Sequence, residues 1–466
     1  MELYMKKYGF NLPVEPRKTF VTHLEEQWYL PLLAEKLNLP VQSVKRSNFG
    51  QYNMAVNYLT SVLDEAKAVN KVAVYNIDHM AQIVFNGKDA AALLHRTVGA
   101  NILDMKIGQC KYTLLLNDKG GVQDDMIIMK VKDDEFVAVI NAGHDITDTP
   151  EPGQSHKYIA DIDRIMFHKK DGEEVNAFDV SDKFVKIDVQ GPYSYKLLKK
   201  LYGEACLKNR YQPEKNMNFF TFNVFEFEGH TYLLSRTGYT NRWGWETYIP
   251  VEVAEEQFKR IVTEALNLGG KLVGLGGRDE NRISAGPVGL PLMGQEYDPQ
   301  HTPVNAPLFD AAIDMTKPEF IGKAVLDAEI KAGATKKMVL FITEGIVTGR
   351  GIYKDGVRIG SVTSSINSPN VSEEKRLAIG SSRKNVLGPE GVAAIGLGWL
   401  YKTPFELDAE GKEITSVNDQ PVRIHVEFFR EDENKKPTGT PVLGYITAEG
   451  VSPATASKPL KNIENL

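Results

Sequence analysis

Two apolar runs, residues 114–116 and 126–131, are separated by Asn117-Asp118-Lys119-Gly120-Gly121. Asn, Asp and paired Gly make a tight turn, because Gly takes positive φ without a steric penalty. The runs are therefore two strands of one hairpin, and residues 126–131 pair in turn with 135–141 around Asp133-Asp134. This strand–turn–strand succession is the strongest constraint on the fold. Asp124 and Asp125 fall where the chain leaves the turn and enters the second strand. Adjacent strand residues point to opposite faces, so at most one of the two faces a given cavity. The other faces water or a backbone amide. The plain alternative is a solvated turn carrying two acids.

The rest of the chain alternates helix and strand patterns. Residues 30–37 and 53–68 carry apolar side chains at helical spacing, with Pro13, Pro16 and Pro40 as punctuation. A strand at 72–80 is followed by a second at 82–85, the Asn86-Gly87 turn and a helix from Asp89. Residues 187–192 read as a strand stopped by Gly191-Pro192, which opens another helix. Residues 253–266 form an amphipathic helix closed by Gly269-Gly270. Gly274-Leu275-Gly276-Gly277-Arg278-Asp279 lacks the βαβ frame and the third glycine of a dinucleotide loop. After a polar bridge at 333–337, strands are expected at 338–343, 357–363, 376–379 and 421–429. Short strands between Gly and Pro turns suit a small closed β unit. A segment within 385–417 reads as an insertion.

With 466 residues, the chain has room for about three domains of roughly 150 residues each. A net charge of −6 argues against a dedicated nucleic-acid binder, which concentrates positive charge. The two cysteines, Cys110 and Cys206, supply neither a disulfide scaffold nor a cysteine zinc site. Neither a His-Glu-x-x-His zinc pattern nor a Walker loop is present. The first residues lack an apolar signal region, and no apolar run reaches the length of a membrane span. The expectation is a soluble, cytoplasmic protein.

Six stretches, in order, resemble signatures of the glycine-cleavage T-protein (aminomethyltransferase) superfamily, whose members bind tetrahydrofolate. They are Tyr112 to the Asp124-Asp125 pair; the 72–80 strand with Tyr75, His79 and Met80; Asn141-Ala142; the Gln190-Gly191-Pro192 strand end; Tyr239, Gly244 and Glu246; and the Gly274-to-Asp279 helix start. Further matches lie at 290–298, 318–323, and Gly360-Ser361-Val362-Thr363-Ser364. The resemblance implies an α+β, three-lobed fold with a folate-binding central cavity and a C-terminal small β-barrel. Its divisions are expected at 1–70, 71–335 and 336–466. It further implies Asp125 as the catalytic acid, with Tyr112, Asn141, Tyr239, Glu246 and Arg278 binding the cofactor. Asp124, His79 and Asn117 are additional candidates.

Those residue types suit that ligand. A carboxylate such as Glu246 accepts the adjacent N–H and amino group of a reduced pterin as a pair. The planar fork of Arg278 binds a carboxylate or carbonyl oxygen. The tyrosines pack against rings and hydrogen-bond through their hydroxyls. The plain alternatives are a strand glutamate, an Arg278 ion pair to Asp279 or Glu280, ordinary core tyrosines and a structural histidine. Three departures point away from a lipoyl-bound donor. The family's Gly-Trp motif is missing near the start, Arg242 stands where the family has an acid, and the barrel region is enlarged. The expected activity is a tetrahydrofolate-dependent methyl or aminomethyl transferase, favoured as a demethylase of a small methylated compound. The alternatives are an aminomethyltransferase acting on a lipoyl carrier protein and a non-catalytic folate-binding protein.

Overall fold

The computed structural model describes residues 16–142, 159–334, 336–388, 390–417, 419–452 and 454–458. Its first lobe is built on a six-stranded sheet. The strands lie in the order Phe222–Phe227, His230–Ser235, Gly244–Pro250, Phe184–Gln190, Ala73–Asn76, Lys271–Val273. All pairs are antiparallel except the last. Helix Ala254–Asn267 buries Phe258, Ile261, Val262 and Ala265 against this sheet, and helix Ser194–Tyr202 adds Leu197 and Leu198. Helix Leu30–Leu37 covers the same core with Leu30 and Leu33.

The chain leaves Ala73–Asn76 directly for the second lobe and returns to the first at Phe184–Gln190. In between it lays down a five-stranded antiparallel sheet ordered Cys110–Leu116, Val122–Lys132, Glu135–Ile140, Ala81–Asn86, Asn176–Asp179. Leu93 and Leu94 of helix Ala90–Thr97 fill its core with Phe85, Ile128 and Phe136. The Asn117-to-Gly121 turn joins the first two strands, as its composition dictates. Gly120 has φ 76°, and a side chain on Gly121 would meet the Pro299 carbonyl oxygen at 2.0 Å.

The third lobe is a closed barrel of Lys337–Thr343, Ala393–Leu400, Val357–Ser368, Gly351–Lys354, Arg423–Glu431 and Pro437–Thr447. Closure leaves no unpaired edge. Three sequence expectations are corrected. Residues 53–68 are not one helix. Tyr52–Ala55 forms a hairpin with Arg46–Phe49 around Gly50 at φ 58°, and only Val62–Ala66 is α-helical before a 3₁₀ turn. Residues 376–379 are not a strand, because Ser372 caps helix Glu373–Leu377 by accepting from the Lys375 amide. Three barrel strands, Ala393–Leu400, Pro437–Thr447 and Gly351–Lys354, escaped notice. The first is buried at every position and so shows no alternation.

A buried polar network ties the barrel to the first lobe. Arg282, on helix Leu275–Ile283, donates from Nη1 to Glu296 Oε2 at 2.8 Å, from Nε to Asp279 at 2.6 Å and from Nη2 to Ser364 Oγ at 2.8 Å. Glu296 Oε1 accepts from Ser364 and Thr363 of the barrel at 2.6 and 2.5 Å. Both members of the ion pair are about 1% exposed, yet the pair is fully hydrogen-bonded. Glu296→Gln should lower stability by about 1.5–3 kcal/mol, the range for a hydrogen bond to a charged group. Denaturant unfolding would measure it, and an unchanged midpoint would show that the network does not couple the lobes.

Candidate active site

A cavity of about 780 Å³ opens where the lobes meet. The second sheet supplies Tyr112, Asp125, Ile127, Val139 and Asn141 to its wall, and the first lobe supplies Gly238, Tyr239, Arg242, Glu246 and Arg278. The size and the mostly apolar lining with a few converging polar groups suit a drug-sized organic ligand.

Strand geometry separates the two aspartates. Asp125 lines the cavity, whereas Asp124 does not and is 4% exposed. Asn141, at the end of the neighbouring strand, holds both. Its Nδ2 lies 2.7 Å from Asp124 Oδ1 and 2.8 Å from Asp125 Oδ1. Asp124 Oδ1 also accepts the Asp125 amide at 2.8 Å. Burial, and next the negative charge of Asp124, raise the Asp125 carboxyl to about 7, while hydrogen bonds from Tyr112 and Asn141 and the charge of Arg278 pull the other way. An acid tuned to neutrality in a cavity is suited to proton transfer.

Across the cavity, Arg278 lies with its Cζ 4.8 Å from the centre of the Tyr239 ring. Tyr239 donates its hydroxyl proton to the Pro291 carbonyl, which fixes the ring under the guanidinium. The ion pair to Asp279 or Glu280 considered from sequence does not form. Asp279 is taken by Arg282, and Glu280 accepts from Ser368, Asn370 and Asn281. Arg278 Nε is buried without a hydrogen-bond partner. A guanidinium so placed has unspent donors for an acceptor in the cavity.

Glu246 reaches the wall from strand Gly244–Pro250, and its Oε2 lies 2.7 Å from Lys186 Nζ. Sequence reasoning missed Lys186 and its neighbour Asp188. Both lie on strand Phe184–Gln190, and Asp188 is the direct cross-strand partner of Glu246. Burial and the Glu246 charge push the Asp188 carboxyl well above the carboxylate range. The charges at 186 and 188 were visible in the sequence, but only the register shows that they meet Glu246. Ala456 was also missed. It lines the cavity because buried Arg236 donates to the Ala456 and Lys458 carbonyls at 2.9 Å, drawing the 454–458 segment over the first lobe.

Besides Asp124, two candidates lie apart from the cavity wall. Asn117 stabilises the hairpin turn, donating to Pro299 O at 2.7 Å and accepting from the Lys119 and Gly121 amides. His79 is buried, stacked edge-on against Phe49 with ring centres 4.9 Å apart, and burial holds it neutral. Met80, the next residue, does line the cavity.

Three lobes thus surround a cavity with Asp125 on one wall and Glu246 and Arg278 on the other, and the fold is that of the T-protein class. The crystal structure of glycine cleavage system aminomethyltransferase T from Bartonella henselae superposes with a TM-score of 0.67 over 95% of this chain and 99% of that one, at 21% identity. Residues 41–317 match the family model described as the GCVT N-terminal domain. An aminomethyltransferase of Desulfitobacterium hafniense is 31% identical over 340 residues, covering 72% of this chain and 85% of its own length. That of Halalkalibacterium halodurans is 31% identical over 367 residues, covering 77% and 93%. The chain therefore belongs to the glycine-cleavage T-protein (aminomethyltransferase) family, whose cofactor is tetrahydrofolate. Among the described residues, no helix is long and apolar enough to cross a membrane.

Proposed function

We propose that this protein is a tetrahydrofolate-dependent one-carbon transferase whose donor is a small methylated compound, with Asp125 as its catalytic acid–base. The observation that carries the transferase reading is Asp125 itself, a cavity-facing carboxyl raised to about 7. Bound tetrahydrofolate supplies the amine that accepts the carbon. Such a transfer would need a group that first takes a proton at that amine and then gives one to the donor's leaving group. Ionised Asp125 takes the first proton, and the populated acid form at neutral pH makes the same group able to give one back. Tyr112 and Asn141 hold its carboxylate in place.

The cavity fits the cofactor. Glu246 would offer a carboxylate oxygen to the donors of the pterin edge, the apolar walls would cover its rings, and the guanidinium of Arg278 would meet an oxygen acceptor. Arg278→Ala should weaken tetrahydrofolate binding by about 1.5–3 kcal/mol, as for a lost hydrogen bond to a charged group. Its thermal stability should change little, since the exposed-site value of its contact with Tyr239 is only about 0.5–1 kcal/mol. Calorimetric titration beside a melting curve separates the two effects. Equal affinity in variant and wild type would remove Arg278 from the site.

The donor is inferred from the walls that differ. Arg242 lines the cavity where the family carries an acid, and the segment held by Arg236 narrows it with Ala456. Changed walls alter transition-state binding and hence the donor accepted. The similarity to proteins named aminomethyltransferase favours the second reading, transfer of an aminomethyl group from a lipoyl carrier protein. A non-catalytic folate binder would not need an acid poised at neutrality. The test is incubation with tetrahydrofolate and, separately, aminomethyl-loaded lipoyl carrier or methoxy-aromatic, methylamine and methylsulfonium compounds. Methyl-folate from a small donor supports the proposal. Methylene-folate from the carrier alone overturns it in favour of the second reading.

A further inference from the structure

Lys186 is 0% exposed, and a lysine is almost never buried so completely without a partner. It stands directly opposite Tyr248 in the register and reaches diagonally across the strand pair to Glu246. Such diagonal neighbours lie within reach of long side chains. Its Nζ meets Glu246 Oε2 at 2.7 Å, Met80 Sδ at 3.5 Å and the Tyr248 ring face at 5.1 Å from the centroid. Glu246 is thus its only anionic contact among the described residues. Asp188 sits on the same strand face two residues on, but its Oδ1 accepts from Gln190 Nε2 at 2.6 Å. Lys186 therefore stands beside two buried acids, and its ion pair falls to the acid that lines the cavity.

We propose that Lys186 is a positioning residue for the cofactor. Resting on the assignment of Glu246 to the pterin edge, it supplies the counter-charge that lets Glu246 present an anionic edge to the cavity and fixes where that edge points. The geometry divides the carboxylate. Oε2 is buried against the ammonium, while the side chain still lines the cavity. An anion left in this apolar wall without a counter-charge would carry a large desolvation penalty. The arrangement also links the Met80 side chain, another cavity-lining group, to the same ammonium.

The test is a double-mutant cycle on tetrahydrofolate affinity, using Lys186→Met, Glu246→Gln and the double variant, with Lys186→Arg as the conservative replacement. Lys186→Met should weaken binding roughly 10- to 100-fold, the value of one charge-assisted hydrogen bond. It should raise KM for tetrahydrofolate and leave kcat near wild type, because Asp125 is untouched. The double variant should bind no worse than Glu246→Gln within about twofold, since Lys186 acts only through Glu246. Lys186→Arg should recover most of the loss. Additive losses, or a fall in kcat at unchanged KM, would overturn the proposal. So would wild-type affinity in Lys186→Met while Glu246→Gln binds weakly. Wild-type affinity in Glu246→Gln would instead overturn the pterin-edge reading beneath it. Should Lys186→Met not fold, the neutral double variant and Lys186→Arg still decide between these results.

Discussion

Asp125→Asn should reduce turnover by roughly 10²–10⁴-fold, the usual contribution of a positioned acid–base, while leaving the fold intact. The replacement amide keeps an oxygen for Asn141 and fits the same space. What it lacks is an exchangeable proton with affinity near neutrality. Wild-type kcat/KM should show a limb with an apparent pKa near the folded value of about 7, rising with pH, and the variant should lose that limb. Stability gives an independent check. The Asp125 carboxyl is raised above its ordinary 3.8, so between about pH 4 and 7 the native state binds more protons than the unfolded chain. Wild-type stability therefore falls across that window as pH rises, and the deficit is constant above it. The neutral variant escapes this loss, so its stability relative to wild type should grow from pH 4 to 7 and then level off. Asp124→Asn, altering a buried side chain that does not line the cavity, should retain the pH limb and move it to lower pH, because the Asp124 charge helps raise Asp125. An inactive Asp124→Asn beside an active Asp125→Asn would reverse the assignment of the pair.

The legible part of this site is the part governed by local rules. A Gly-Gly turn between apolar runs sets the hairpin, and strand alternation leaves one of the two aspartates, Asp125, on the cavity wall. The Gly274 helix start delivers Arg278 from a short-range pattern. The illegible part depends on register and on distant contacts. Lys186 within a strand gives no local sign of burial, since a strand charge usually faces water. Only the pairing of Lys186 with Tyr248, which brings Glu246 onto the diagonal, explains its place. Arg236 and Ala456 are 220 residues apart, so no spacing rule connects them. Asn117 shows the opposite error. A residue within a family signature is occupied by the turn itself. Barrel strand Ala393–Leu400 carries Gly396 and Gly398. They are places where another chain segment comes too close for a side chain, as Ser364 O would lie 2.4 Å and Ser361 O 2.6 Å from an added Cβ.

The second large effect should come from Glu246→Ala. It removes the one carboxylate in contact with a fully buried ammonium, and breaking a buried pair in this way costs about 3–5 kcal/mol. The penalty exceeds the value of the ion pair, because most of it is the desolvation of the charge left behind. Among the described residues, Asp188, two residues on along the same strand, is the acid placed to relieve it. Freed from the opposing Glu246 charge that helps to keep it protonated, it can ionise and serve Lys186 in part. Glu246→Gln differs in kind. It keeps an oxygen acceptor beside Lys186 and the volume of the side chain, so its cost should be smaller. Both variants should lose tetrahydrofolate affinity, because neither presents an anionic oxygen to the donors of the pterin edge. The comparison therefore separates structure from recognition. Chemical denaturation should rank Glu246→Ala well below Glu246→Gln, while titration with tetrahydrofolate at a temperature where both are folded should place them together. Equal stability of the two would mean that Lys186 finds full compensation elsewhere. Near-wild-type affinity in the glutamine variant would mean that the carboxylate serves the lysine and not the ligand.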